Sequence, residues 1–357
     1  MNHVSTTVSV IIPIFNQEKF LSRTLDSVRR QTFQNVEIIC INDASTDRSL
    51  EILQGYANHP RIKIINLREN QGTFLARKRG VEAASGKYIM FLDADDWFEP
   101  DACETAVREI QRHNVQIYHF GTRVESPTLS WRERREIEQS LIFHPGYLKG
   151  DDTFILTETG ENKYNHLLWD KIFSSDLCKK VYQSMPDARI ISMEDFFTFV
   201  LLSLAADSYY GSKRHHLHHY HFATGIWSGT QEKITPKQFA VYCQDLTYFP
   251  VVLNLLRQKG VDEKYIQRFQ LSKGALLTCC FQKFYLLENP DDGLDCFLKC
   301  CFDNNIESFH TANALYSRLA LYETYLRDYH MSYSVQLGLF LTWLPRKLLS
   351  LLTGRRY

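Results

Sequence analysis

Asp93, Asp95 and Asp96 fall within four positions at the end of the apolar run Tyr88-Ile89-Met90-Phe91-Leu92. Carboxylates this close repel one another, and burying them unpaired is costly. A divalent cation is the simplest device that holds them together. Hard oxygen ligands suit Mg2+ or Mn2+, and phosphate oxygens normally complete such a shell. The competing reading is a solvated acidic turn that caps the next helix, since Pro100 suits a first helical position and Asp101 a first turn. The elements around the acids decide between the two.

Residues 87–92 read as a buried strand that stops at the acids. Upstream, residues 8–13 form a β-branched run whose Pro13 marks a strand exit. Phe20, Leu21, Leu25 and Val28 then recur at helical spacing through Arg29. Residues 36–41 are a second strand, after which Ser45 is placed to cap a helix carrying Leu50, Leu53 and Tyr56. Residues 62–67 are a third; a helix follows Gly72 through Ala84, with Gly86 as its left-handed stop. Strands alternating with helices predict an α/β fold, a parallel sheet covered on both faces. In such a sheet ligands bind beyond the carboxyl ends of the strands. Those ends carry residues 13–18, 42–47, 66–72 and 93–96, so the unusual polar residues share one edge. No G-x-G-x-x-G or G-x-x-x-x-G-K-[ST] is present, which excludes a dinucleotide fingerprint and a phosphate loop. A nucleotide held through a metal fits better.

The 357 residues suffice for one main domain and an appended one. Lys+Arg and Asp+Glu both number 41, so no overall field argues for a nucleic-acid partner. The polar start leads directly into a strand, from which no signal peptide and a cytoplasmic location are expected. The nine cysteines lack metal-type C-x-x-C pairs and read as reduced, buried thiols.

The segments VSVIIPIFNQEKFL, INDASTDRS and NQGTFLARKRGVEAASGKYIMFLDADD, in that order, resemble the nucleotide-binding half of family 2 glycosyltransferases. The resemblance covers about the first 125 residues. It implies a GT-A (Rossmann-like) fold with a mainly parallel sheet, and a nucleotide diphosphate sugar as donor, a UDP-sugar being favoured. It also implies that Pro13, Phe15 and Glu18 line the base and ribose site, that Asp43 accepts from a uracil-type ring, and that Arg77 approaches the base or diphosphate. Asp93 would take the ribose and Asp95 the metal, with Asp93 beside it. Lys78 departs from the asparagine usual after that arginine.

Downstream, residues 131–136 are a mixed-charge run that reads as a solvated helix or loop. Leu168-Trp169-Asp170-Lys171 resembles the family's Trp-x-Lys element, which implies acceptor-side roles for Trp169 and Lys171; a tryptophan in isolation reads as core. Glu194-Asp195-Phe196-Phe197 resembles Glu-Asp-x-x-Phe, with Asp195 as the general base and Glu194 on the acceptor side. An acceptor hydroxyl attacking an anomeric carbon must lose its proton to such a carboxylate. Five histidines fall in residues 215–221, but strand alternation sends them to two faces, against a structural zinc site. That segment resembles a Tyr-x-Tyr-Arg element near the donor diphosphate. Tyr220 matches its second tyrosine, and His221 stands where arginine is usual, as a contact to the diphosphate or a metal ligand. Ser228 and Thr230 would touch the same phosphates.

The expected division is a GT-A domain over residues 1–230, of which 1–125 bind the nucleotide sugar and 126–230 carry the acceptor side, then a C-terminal α-helical appendage over 231–357. Its tail, residues 334–357, alternates apolar groups with Pro345-Arg346-Lys347 and Arg355-Arg356. It suits a helix lying on an anionic inner leaflet or packed on the protein itself. The expected function is inverting, metal-dependent transfer of a sugar to a polysaccharide or lipid-linked glycan. A nucleotidyl- or phosphosugar transferase and a catalytically silent glycan-assembly subunit are the alternatives.

Overall fold

The computed structural model describes residues 7–141, 143–155, 164–190, 193–222 and 236–271. Residues 1–300 form one compact unit and 301–357 a second; all described residues lie in the first. The tail and Ser228 and Thr230 therefore lie outside the described residues, as does the boundary expected at 230/231.

In chain order the elements are β1 (Val8–Ile14), α1 (Leu21–Arg29), β2 (Val36–Asn42), α2 (Ser49–Tyr56), β3 (Ile62–Asn66), α3 (Thr73–Ala83), β4 (Tyr88–Phe91), β5 (Trp97–Phe98) and α4 (Ala102–His113). There follow β6 (Ile117–Glu125), α5 (Trp131–Ser140), β7 (Gly146–Lys149), α6 (Asp152–Ile155), β8 (Lys171–Ser174), α7 (Ser175–Ser184), α8 (Glu194–Ala205), β9 (Ser208–His221), α9 (Pro236–Gln258) and α10 (Glu263–Leu271). The strands form one sheet in the order β3-β2-β1-β4-β8-β6-β9-β5, and β7 pairs with β9.

The first half is parallel as the βαβ pattern requires: Val8 stands opposite both Val36 and Tyr88, and Ile38 opposite Ile62. Beyond β4 the sheet becomes mixed. β8 is antiparallel to both β4 and β6, and β9 is parallel to β6. Two reversals restore the original direction. The carboxyl ends of β6 and β9 and the amino end of β8 therefore join those of β1 to β4 on one rim. Asp43 and Asp95 follow strands that flank β1, two strand spacings or about 10 Å apart across that rim.

Alternation along β1 buries Val8, Val10 and Ile12 against Leu21, Leu25 and Val28 of α1, with Ala102, Ala106 and Ile110 of α4 in the same cluster. Ile11, of opposite parity, meets α3. A Cβ on Gly80 would stand 2.4 Å from Ile11 Cγ2, so glycine there sets how closely α3 lies on the sheet. α9 closes over this side: the Tyr248 ring is 6.0 Å from that of Phe74 and 5.6 Å from that of Phe197. No helix among the described residues is long and apolar enough to cross a membrane.

Three local expectations are corrected. Gly86 is not a left-handed stop. α3 ends at Ala84 in extended backbone, and a Cβ on Gly86 would lie 2.6 Å from Ser9 Oγ and 2.7 Å from Ser9 N. Its N–H instead donates to Ser9 Oγ at 2.9 Å, so the glycine serves close approach to β1. Ser45 does not cap α2, which starts at Ser49; the Ser49 N–H donates to the Asp47 carboxylate at 2.9 Å. Pro13 lies within β1, opposite Ile41, rather than ending it. The mixed-charge run became α5, which buries no side chain and carries a capping box between Ser130 and Glu133.

Candidate active site

Loops after β1 and β2 form one wall of the rim and hold each other. The N–H groups of Asn16, Gln17 and Glu18 donate to Ser45 Oγ, Ser49 Oγ and Asp47 Oδ2 at 3.1, 2.8 and 2.9 Å. In return, Thr46 N donates to Asn16 Oδ1 at 2.8 Å and Arg48 N to Glu18 Oε2 at 3.0 Å. Asn16 and Ala44 adopt left-handed backbone, φ 53° and 55°, to make this join. For alanine that conformation costs energy and marks the loop as constrained. Phe15 projects from the wall, 44% exposed. Glu18, expected to line a ribose, turns its carboxylate onto Arg48.

Asp43 is buried and holds the loop after β3. Its carboxylate accepts from Gln71 N at 2.7 Å, Gly72 N at 2.8 Å and Asn70 Nδ2 at 2.9 Å. Burial raises its pKa and these N–H donors oppose the rise. The sequence reading assigned Asp43 to a base and missed this anchoring role; the N-Q-G triplet at residues 70–72 was the available signal.

The centre of the rim is Arg77, 1% exposed. Its Nη2 reaches Asp93 Oδ1 at 2.7 Å and its Nη1 reaches Glu194 Oε1 at 3.0 Å and Asp195 Oδ1. One guanidinium from α3 thus joins the end of β4 to the start of α8, and Glu194 lies 117 positions from Arg77 in sequence. Burial alone would lower its pKa; Asp195, Asp93 and Glu194 raise it well above the ordinary value. Burial likewise raises the pKa of both Glu194 and Asp195, opposed by Arg77, so this acidic pair retains a proton to higher pH than solvated carboxyls. Arg77, expected to approach the base or diphosphate, is a buried partner of the acids.

Asp95 and Asp96 diverge. Asp96 is fully buried; its Oδ1 accepts from His221 N at 2.7 Å, and its Oδ2 lies 3.0 Å from His218 Nε2 without hydrogen-bond alignment. Burial, then repulsion by Asp93, raises its pKa well above the ordinary value, and its bond to the His221 N–H pins β9 to the β4–β5 turn. The sequence groups Asp96 with the acids that a cation would hold, but its carboxylate turns into the fold instead. The backbone carbonyl of Asp95 accepts from Arg23 at 2.8 Å, and the Arg23 guanidinium lies 3.7 Å over the Trp97 ring.

The acceptor-side expectations are the most altered. Trp169 is 4% exposed, its ring stacked at 4.4 Å on His218 and at 5.5 Å on Tyr220, so it is core and offers no open face to a sugar. Lys171 is completely buried; its Nζ donates to Asp170 Oδ1, Leu167 O and Asn165 Oδ1 at 2.6, 2.6 and 2.7 Å. Asp170 also faces His119 Nε2 at 2.9 Å. Tyr220 is half-buried.

As alternation predicts, His218 lies on the Trp169 side of β9, whereas His219 stacks on Trp97 at 4.9 Å and the His221 ring packs 4.7 Å from Phe20. His221, Asp93 and Asp95 do not assemble as a three-ligand set; among the described residues no group of three His, Cys, Asp or Glu side chains is placed to hold a metal ion. Any cation here takes one or two carboxylates and completes its shell from a ligand, as Mg2+ with phosphates does.

Burial pushes the His119 imidazole down to about 4 and that of His218 to about 3. An unfolded histidine takes up a proton near 6.5, so below that pH the unfolded state gains protons that the folded state refuses, and this part of the stability is lost as pH falls. Asp96 and Glu194, whose pKa values are raised, have the opposite sign, so the comparison must be with a variant. Replacing His119 by Gln should narrow the difference in urea unfolding free energy between wild type and variant by about 2 kcal/mol from pH 6.5 to 5. An unchanged difference would show that His119 takes up its proton as readily in the fold as in the unfolded chain.

The family model described as Glycosyl transferase family 2 matches residues 9–173. Those residues are a family 2 glycosyltransferase domain. The domain holds Asp43, Arg77, Asp93 and Asp95; Glu194 and Asp195 lie beyond the matched stretch. Putative glycosyltransferase EpsH of Bacillus subtilis (strain 168) is 45% identical over 102 residues, 28% of this chain and 29% of that protein. Uncharacterized glycosyltransferase YibD of Escherichia coli (strain K12) is 31% identical over 185 residues, 50% of this chain and 52% of that protein. The chain thus spans about half of YibD and under a third of EpsH. The structure of S. aureus TarS 1-349 in complex with UDP-GlcNAc has a TM-score of 0.52 at 16% identity, covering 85% of this chain and 93% of that one. The shared fold is GT-A, with the central sheet and flanking helices described above.

Proposed function

We propose that the chain is a glycosyltransferase that moves a sugar from a nucleotide diphosphate donor, a UDP-sugar by preference, onto a polysaccharide or lipid-linked glycan, with inversion. The observation that carries this reading is the Arg77 junction, which brings an acid from the end of β4 and two from the start of α8 to one rim of a family 2 domain. UDP is preferred because the TarS structures of similar fold contain UDP-GlcNAc and UDP.

In this reading the Phe15 wall and the Asp43 loop receive the nucleotide. Asp95, with Asp93 beside it, would hold a Mg2+ or Mn2+ ion, and such an ion supplies positive charge against a departing diphosphate. Asp195 takes the proton of the acceptor hydroxyl, and a single attack opposite the leaving group inverts the anomeric carbon. Arg77 keeps Asp195 ionised and oriented before the acceptor arrives. Glu194, beside it, shares the pair's proton and shapes the acceptor side. Membrane association rests on the basic tail alone.

The test is release of nucleoside diphosphate from a panel of UDP- and GDP-sugars with saccharide acceptors, with and without chelator. Expected is release that chelation abolishes and added Mn2+ or Mg2+ restores. Release of pyrophosphate instead would favour the nucleotidyltransferase alternative, and donor binding without turnover would favour the silent subunit. Release that chelator leaves unchanged would remove the metal from the reading.

A further inference from the structure

Lys78 follows Arg77 on α3, and the reaction just described does not use it. It is 7% exposed, and its Nζ donates to Met185 O at 2.7 Å and to Asp187 Oδ1 at 2.6 Å. Arg79 donates to the other oxygen of Asp187 at 2.8 Å. Met185 caps the end of α7, so α3 grips the chain where that helix stops. Two residues past Asp187, Arg189 donates to Asn70 Oδ1 at 2.6 Å, and Asn70 in turn donates to the Asp43 carboxylate. α8 then begins with Glu194 and Asp195, both on Arg77. A buried ammonium is costly unless its acceptors stay in place, so the Lys78 contacts tie the segment to α3 rather than decorate it.

We propose that residues 185–190 are a strap anchored at two ends. Lys78 and Asp187 are positioning residues that set where Asp195 stands relative to Asp93 across Arg77. Arg189, through Asn70, steadies the loop that Asp43 holds, on the donor side. The proposal rests on the glycosyltransferase reading and extends it. The ends act on different steps: slackening the Lys78 end moves the proton acceptor without touching donor contacts, and slackening the Arg189 end disturbs donor binding without moving the acid.

The experiment is steady-state kinetics of nucleoside diphosphate release by the full chain, using the donor that wild type turns over. Asp187→Asn and Lys78→Met should lower kcat by about ten- to a hundredfold with donor KM within about twofold, the signature of misplacement rather than lost binding. Lys78→Arg should restore part of that loss, because it keeps the charge and donors. Arg189→Ala should raise donor KM and keep kcat. Asp187 is at the surface, so Asp187→Asn reports even if Lys78→Met does not fold. Unchanged kcat in Asp187→Asn, or the same kinetic change at both ends, overturns the strap and leaves glycosyl transfer standing. A wild type that releases nucleoside diphosphate from no donor overturns the glycosyltransferase reading and, with it, the strap.

Discussion

Replacing Arg77 by methionine should destabilise the protein by about 3–5 kcal/mol, because removing one partner of a buried ion cluster leaves the others uncompensated. Three carboxylates meet this guanidinium, and Glu194 and Asp195 expose only 12% and 16% of their side chains. Water cannot take over their solvation. The loss is measured by urea unfolding at pH 7. It should shrink at lower pH, because the acids left behind can then be neutralised by protons. In whatever folded fraction remains, the acid limb of kcat should move to higher pH, since the cation that favours ionised Asp195 is gone. Arg77→Lys should recover only part of the stability: one ammonium cannot span both groups as the planar fork does. A Met variant as stable as wild type would mean that these acids do not depend on the guanidinium for compensation.

Asp195→Asn should lower kcat by about 10²- to 10⁴-fold, the range associated with loss of a positioned proton acceptor, while donor affinity stays near wild type. The variant should also be no less stable, since it removes one of the acids crowded around a single cation. Donor affinity is read by calorimetry with the intact nucleotide sugar and turnover by release of the nucleoside diphosphate. Near-normal turnover would dismiss Asp195 as the base and direct attention to Glu194, which shares the same guanidinium. The acid limb of wild-type kcat should lie above the ordinary carboxylate range, because burial raises the pKa of both members of the pair. Activity rises with pH through that limb as the pair ionises.

The parallel half of the fold was legible because β1 to β3 are β-branched runs, β4 is an apolar run, and α1 and α2 carry apolar residues at helical spacing, so these elements fell close to where the pattern put them. The antiparallel insertion of β8 was not. Lys171-Ile172-Phe173-Ser174 is too short to announce a direction, and its place depends on pairing with β4 and β6, far away in sequence. The rim itself could be read, since strand direction alone assigns Asp43, Asp93 and Asp95 to one edge. Which side chains are engaged there could not. A motif gives Arg77 and Asp195 as residues of interest, but only the packing of α3 against α8 reveals that they are bonded to each other. Trp169 illustrates the same limit: its spacing is that of the family's element, and its burial is set by His218 and Tyr220 on a strand some fifty residues later. Asp47 rather than Ser45 supports the start of α2 because Ala44 turns left-handed, which no property of alanine foretells.

The mutual hold of the β1 and β2 loops has a thermodynamic consequence. Hydrogen bonds between the two loops fix this wall from within the chain. A molecule arriving there meets a surface already in shape, and little conformational entropy remains to be lost when it docks.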